Sequence, residues 1–202
     1  MGWNELLWPH MWSLHSYDVS INNKLVSTYN FQLETATDEE GVGVLAHEMF
    51  HSLGAPDLYH YKHNKDITPA WKWDLMEYNL NPPQHMGAYM KMQYGKWFKS
   101  IKAITASGTY TLNPLTSSTN NAYKIASPNS TTEYFVLEYR KKTGTFESSL
   151  PNEGLLVYRI NTARRGEGNP DANYEKQIYD EVYIYRPGGT AEENGTPADA
   201  PF

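Results

Sequence analysis

The run LAHEMFHSLGAPDLYH, residues 45 to 60, gathers three histidines, a glutamate and an aspartate into one short stretch. His47 and His51 stand four apart, a spacing that puts both on one face of an α-helix. From that face two imidazoles can grip one divalent cation through ring nitrogens at about 2.0–2.1 Å. Glu48 lies beside His47 but about 100° further round, because the helix has ~3.6 residues per turn. It is therefore free of the cation and placed to take a proton from a water activated there. That is the mechanical content of H-E-x-x-H as a signature of zinc-dependent hydrolysis.

Gly54 follows His51 by three residues and Asp57 follows Gly54 by three more. A glycine adopts the positive φ needed to turn the chain sharply back, which brings Asp57 to the same cation as a third ligand. The pattern H-E-x-x-H-x-x-G-x-x-D is the metzincin arrangement with Asp in place of the third His. Met76, in WDLMEY, supplies the methionine turn expected beneath the ion, as a packing residue. Plainer readings compete. H-E-x-x-H alone also occurs on ordinary solvated helices, an Asp after Pro56 can simply form a turn, and Glu77 is a rival carboxylate for the third ligand position. The Gly54 turn favours Asp57.

These residues need elements to hold them. Thr37 and Glu40 form a capping box ahead of the apolar positions Val42, Val44, Leu45, Met49, Phe50 and Leu53, which predicts a helix over 38–53 closed by Gly54 and Pro56. Upstream, residues 17–35 read as a hairpin turning at Asn22-Asn23. Its strand around 30–34 is offered as an edge for an extended substrate. Downstream, Asn81 with Pro82 and Pro83 reads as the start of a second helix. Met86, Tyr89, Met90, Gln93 and Trp97 continue it at helical spacing to about 98. Beyond residue 100 the runs GTYTLNPL, NAYKIAS, EYFVLEYR, GLLVYRIN and EVYIYRP predict short antiparallel strands. The expected fold class is α+β: a catalytic core over 1–100, truncated at its N-terminus, with a β-rich portion over 101–202 packed against it.

Composition narrows the chemistry. The balance of 17 basic and 23 acidic residues gives a net charge of −6 with no basic stripe, which argues against a nucleic-acid partner. No cysteine is present, so a transition metal must be held by histidine and carboxylate. No apolar run of about 18 residues exists, so no membrane span is predicted, and no signal peptide is visible. The oligomeric state leaves no sequence signal. His60 and His63 read as surface or loop histidines, and His10, His15 and His85 as core or cleft-wall residues. Trp3, Trp8 and Trp12 read as core. RRGEGNPDANYEK reads as a polar loop, where a calcium site would be conceivable.

GVGVLAHEMFHSLGAPDLYH, WDLM, GAYMKMQYGKWF, YFVLEYR and LPNEGLLVYRIN, together with LWPHMWSL near the start, resemble the immune inhibitor A family of secreted bacterial zinc metallopeptidases. The resemblance runs from about residue 7 to about 190. It implies zinc held by His47, His51 and Asp57, Glu48 as catalytic base, protein or peptide substrates, secretion, and often calcium as a second metal. Tyr78, two residues past Met76, matches the place where some metzincins set a tyrosine that supports the oxyanion. WDLM is followed here by Glu77 and Tyr78 rather than by small residues, and the family's propeptide and later domains are absent from the chain. Two other readings stand beside the endopeptidase: a non-catalytic peptidase-like binding or adhesion module, and a zinc amidase acting on cell-wall peptides.

Overall fold

The computed structural model describes residues 8–34 and 41–202. The N-terminal part is a long hairpin. β1 (His10–Ser13) pairs antiparallel with β4 (Thr28–Phe31), and between them β2 (Ser20–Ile21) pairs with β3 (Lys24–Leu25). Asn22 and Asn23 hold φ of 52° and 60°, the two positive values that a tight two-residue hairpin turn demands and that asparagine tolerates. The predicted turn is therefore where the sequence places it. β4 ends at Phe31 and lies against β1, and residues of both strands line the cleft described below.

α1 (Val42–His51) is the predicted ligand-bearing helix. The capping box at Thr37 and Glu40 lies outside the described residues, as does Trp3. Gly54, at φ 90°, makes the turn that ends the segment. The second helix is shorter than its apolar spacing predicts: α2 spans Ala88–Gln93. Its first turn is not built on Asn81, Pro82 and Pro83. Instead the Gln84 side chain donates to the carbonyls of Lys72 and Tyr78 and holds that stretch irregular. The helix begins where the Asp74 carboxylate accepts the Gly87 N–H at 2.7 Å and Glu138 accepts the Ala88 N–H at 2.7 Å. Two distant carboxylates thus do the work of a local cap.

The second half contributes β5 (Lys102–Ala103), β6 (Ala122–Ala126), β7 (Glu133–Arg140), β8 (Gly154–Asn161) and β9 (Val182–Ile184), side by side in one sheet in that order. All neighbours are antiparallel except β5 and β6. GTYTLNPL forms no strand, only a bridge from Pro114 to Tyr139. The inner sheet face brings Val136, Leu156, Ile160, Val182 and Ile184 into the same core as Phe50, Leu58, Met76, Tyr89 and Met90. One apolar core therefore draws on both halves of the sequence. Among the described residues, no helix is long and apolar enough to cross a membrane.

Charge is buried in this core. Glu138 and Arg140 occupy alternate inward positions of β7. The Arg140 guanidinium donates to both Glu147 oxygens, to Glu138, and to the carbonyls of Trp73 and His85. A buried guanidinium is tolerable only when its donors are matched in this way. The result is a strand-borne clamp on the segment that carries Met76.

A second buried pair joins the loop after α1 to the segment before β9. His60 Nε2 lies 2.6 Å from Asp180 Oδ1, with both side chains at most 1% exposed, and Nδ1 donates to the Asn64 carbonyl at 2.8 Å. His60 is thus a buried ion-pair partner rather than the surface histidine its neighbours suggest, whereas His63 is exposed. Burial alone would lower the His60 pKa, but the bond to Asp180 and its charge, with the Asn64 carbonyl, raise it above 6.5. A histidine raised in the folded state contributes stability in full below about 6.5 and loses it as pH climbs through the higher folded value. Breaking one side of such a pair costs about 3–5 kcal/mol. His60→Gln is expected to lower the melting temperature strongly at pH 6, with the gap to the parent shrinking towards pH 9. Melting curves across that range, with a gap independent of pH, would count against the pairing.

Candidate metal centre

The site rests on α1. His47 is buried and His51 partly buried, one turn apart, with ring centroids 4.7 Å apart and planes at 86°. Each ring is oriented by its other nitrogen. His47 Nδ1 donates to the Leu75 carbonyl at 2.9 Å, and His51 Nδ1 donates to the Ala55 carbonyl at 2.7 Å. A carbonyl oxygen can only accept, so in the neutral rings the proton sits on Nδ1 and both Nε2 lone pairs are free to face a cation. Asp57 Oδ1 lies 3.0 Å from His47 Nε2 and 3.3 Å from His51 Nε2. Ligands about 2.0–2.1 Å from a tetrahedral ion stand roughly 3.3 Å from one another. The His47–His51–Asp57 group, whose ligand atoms all lie within 4.8 Å of one another, can hold a metal ion.

Electrostatics agree with the geometry. Burial would push the Asp57 carboxyl up, yet the imidazoles of His47 and His51, with the Tyr61 hydroxyl, hold it well below the usual carboxylate range. Burial likewise opposes a charged His51, but Asp57 and the Ala55 carbonyl raise it. Asp57 therefore keeps its negative charge facing the two imidazoles. Tyr59 and Tyr61 are both shifted upward, first by partial burial and then by Asp57, so both keep their hydroxyl protons.

The Met76 segment supports the ligands from below. Met76 is fully buried. Its carbonyl accepts the Leu58 N–H at 2.9 Å, beside Asp57, while the preceding carbonyl of Leu75 orients His47. Glu77, the rival third ligand, turns away from the group and accepts the backbone N–H groups of Ala70 and Trp71.

An open cavity of about 610 Å³ lies over the group. Glu48, His51 and Asp57 line it together with Trp8 and Pro9, with His10, Met11 and Trp12 of β1, and with Tyr29, Tyr59 and Tyr61. Trp8 and Trp12 are 56% and 65% exposed, so these tryptophans form a cleft wall rather than core. His10 belongs to that wall as well: its Nδ1 donates to the Trp8 carbonyl, and its Nε2 accepts from the Tyr29 hydroxyl. Tyr78 is not brought there. It is 47% exposed, its ring packs under the Lys72 ammonium, and it does not line the cavity. The tyrosines at the site are Tyr59 and Tyr61.

A signal for those two residues was present in DLYHY. Alternation at period two places Asp57, Tyr59 and Tyr61 on one side of an extended chain. Leu58 and His60, the residues between, are buried at 0% and 7%. The polar run from 164 to 176 gave no such hint, yet it underpins Asp57. The Asn169 amide donates to the carbonyls of Leu58 and Val182, and its backbone N–H donates to the Asp57 carbonyl. Gly168, at φ 63°, passes so close that an added Cβ would lie 2.3 Å from the Asp57 carbonyl oxygen. Only glycine fits there.

No family model, curated protein or solved structure matches this chain.

Proposed function

We propose that the chain is a secreted zinc-dependent endopeptidase with a metzincin-like core, of the immune inhibitor A type that its motifs resemble. The observation carrying this reading is the juxtaposition in one open cleft of three converging ligand atoms and a carboxylate that is not among them. Two imidazoles and one carboxylate, without thiolate, are a donor set suited to zinc. Bound there, zinc would lower the pKa of a water towards about 7 and polarise a carbonyl.

The rest falls to the chain itself. His47, His51 and Asp57 would hold the ion, and the Leu75 and Ala55 carbonyls fix the orientation of the two rings. Glu48, one residue from His47 and open to the cleft, takes the proton of the attacking water and passes it to the departing amine nitrogen. β1 lines the same cleft, where its backbone can pair with an extended peptide whatever its side chains. The exposed rings of Trp8, Trp12 and Tyr29 favour bulky apolar side chains near the cleaved bond.

Incubation of the purified chain with casein tests the proposal. Cleavage should occur, stop when a zinc chelator is added, and return with added zinc. Zinc binding with no cleavage of casein or of a panel of unstructured peptides would replace this reading with that of a peptidase-like binding module. Cleavage confined to cell-wall peptides would replace it with that of an amidase.

A further inference from the structure

The two oxygens of the Asp57 carboxylate face different partners. Oδ1 lies towards both imidazole Nε2 atoms, at 3.0 and 3.3 Å. Oδ2 accepts a hydrogen bond from the hydroxyl of Tyr61, four residues on. The terminal torsion of an aspartate is soft and nearly two-fold, so a carboxylate held by nothing else could rotate, or offer both oxygens to one ion. The Tyr61 hydroxyl blocks both movements.

That hydroxyl is itself delivered from a fixed place. The Tyr61 backbone N–H donates to the Pro170 carbonyl at 3.0 Å, and its ring packs against Tyr59 with centroids 5.3 Å apart. Pro170 follows Asn169, whose own bonds tie down Leu58 and Asp57. Ligand and clamp are thus anchored on one loop of the second half of the chain.

We infer that Tyr61 is the positioning residue of the metal centre: its hydroxyl reserves Oδ2, so that Asp57 binds the ion through Oδ1 alone and a coordination position stays open to water and substrate. The inference rests on the metal-centre reading above and deepens it. An open position is what separates a catalytic zinc site from a closed structural one. A bidentate aspartate would fill it. Partners of this kind, one bond removed from the ion, typically set metal affinity by ten- to a hundred-fold.

The test is zinc titration of the purified chain against a chromophoric chelator, for the parent, Tyr61→Phe and Tyr78→Phe. Tyr61→Phe is expected to bind zinc about ten- to a hundred-fold more weakly. Tyr78→Phe, which removes a hydroxyl that does not line the cleft, should match the parent. Because the Tyr61 ring stays and is 45% exposed, melting temperatures measured in chelator should coincide. The cobalt-loaded forms give a second readout. Release of Oδ2 onto the ion raises the coordination number, so the visible absorption of Tyr61→Phe should weaken and shift relative to the parent. Equal zinc affinity and identical cobalt spectra for parent and Tyr61→Phe would overturn the positioning role while leaving the metal centre intact. A parent chain that binds no ion would overturn both.

Discussion

Glu48→Gln is expected to keep the metal ion and lose turnover by about 10²–10⁴-fold, the range that a positioned general base contributes. The amide preserves the shape of the side chain but cannot take a proton. Because Glu48 is not one of the three converging ligands, metal content should stay at the parent level. The two measurements must be made together on one preparation. Peptide-cleavage kinetics give the turnover number, and elemental analysis gives the zinc bound per chain. Full turnover with full metal occupancy would remove Glu48 from the chemistry. Loss of both would make it a ligand, against its place in the cleft.

Asp57→Ala is expected to lose zinc affinity by more than about 100-fold, because loss of even an indirect partner costs ten- to a hundred-fold. Turnover would fall with occupancy. The carboxylate faces the imidazoles of His47 and His51 and the Tyr61 hydroxyl, so its removal strips the candidate site of its anion and leaves two rings that cannot fix one ion firmly. Zinc titration and elemental analysis after dialysis report the loss directly. Parent-level affinity would mean that another group completes the coordination. Glu77 is an unsuitable substitute, engaged as it is with the backbone of Ala70 and Trp71. Thermal stability adds a separate check. Added zinc should raise the melting temperature of the parent, because a ligand that binds only the folded state stabilises it, and should barely move that of Asp57→Ala.

The sequence by itself determined the elements of this site whose rules are local. Histidines four apart on a helix, a glycine that can turn at positive φ and an aspartate three residues later all follow from short-range periodicity and backbone freedom. His47, His51 and Asp57 accordingly stand together, with the turn at Gly54 between them, as their spacing implies. EYFVLEYR and GLLVYRIN became strands over the residues quoted, because alternation at period two is equally local. Tertiary structure alone decided the remainder. The start of α2 moved from Asn81 to Ala88 because Asp74 and Glu138, the latter 50 residues away, supply its caps. His60 went inward because Asp180, 120 residues on, offers it a charge, while Trp8 and Trp12 went to the cleft wall. The support of Asp57 by Gly168 and Asn169 likewise spans more than 100 residues. Contacts of such range carry no period for a sequence to display: they exist only once packing has brought the partners within a bond length of about 3 Å.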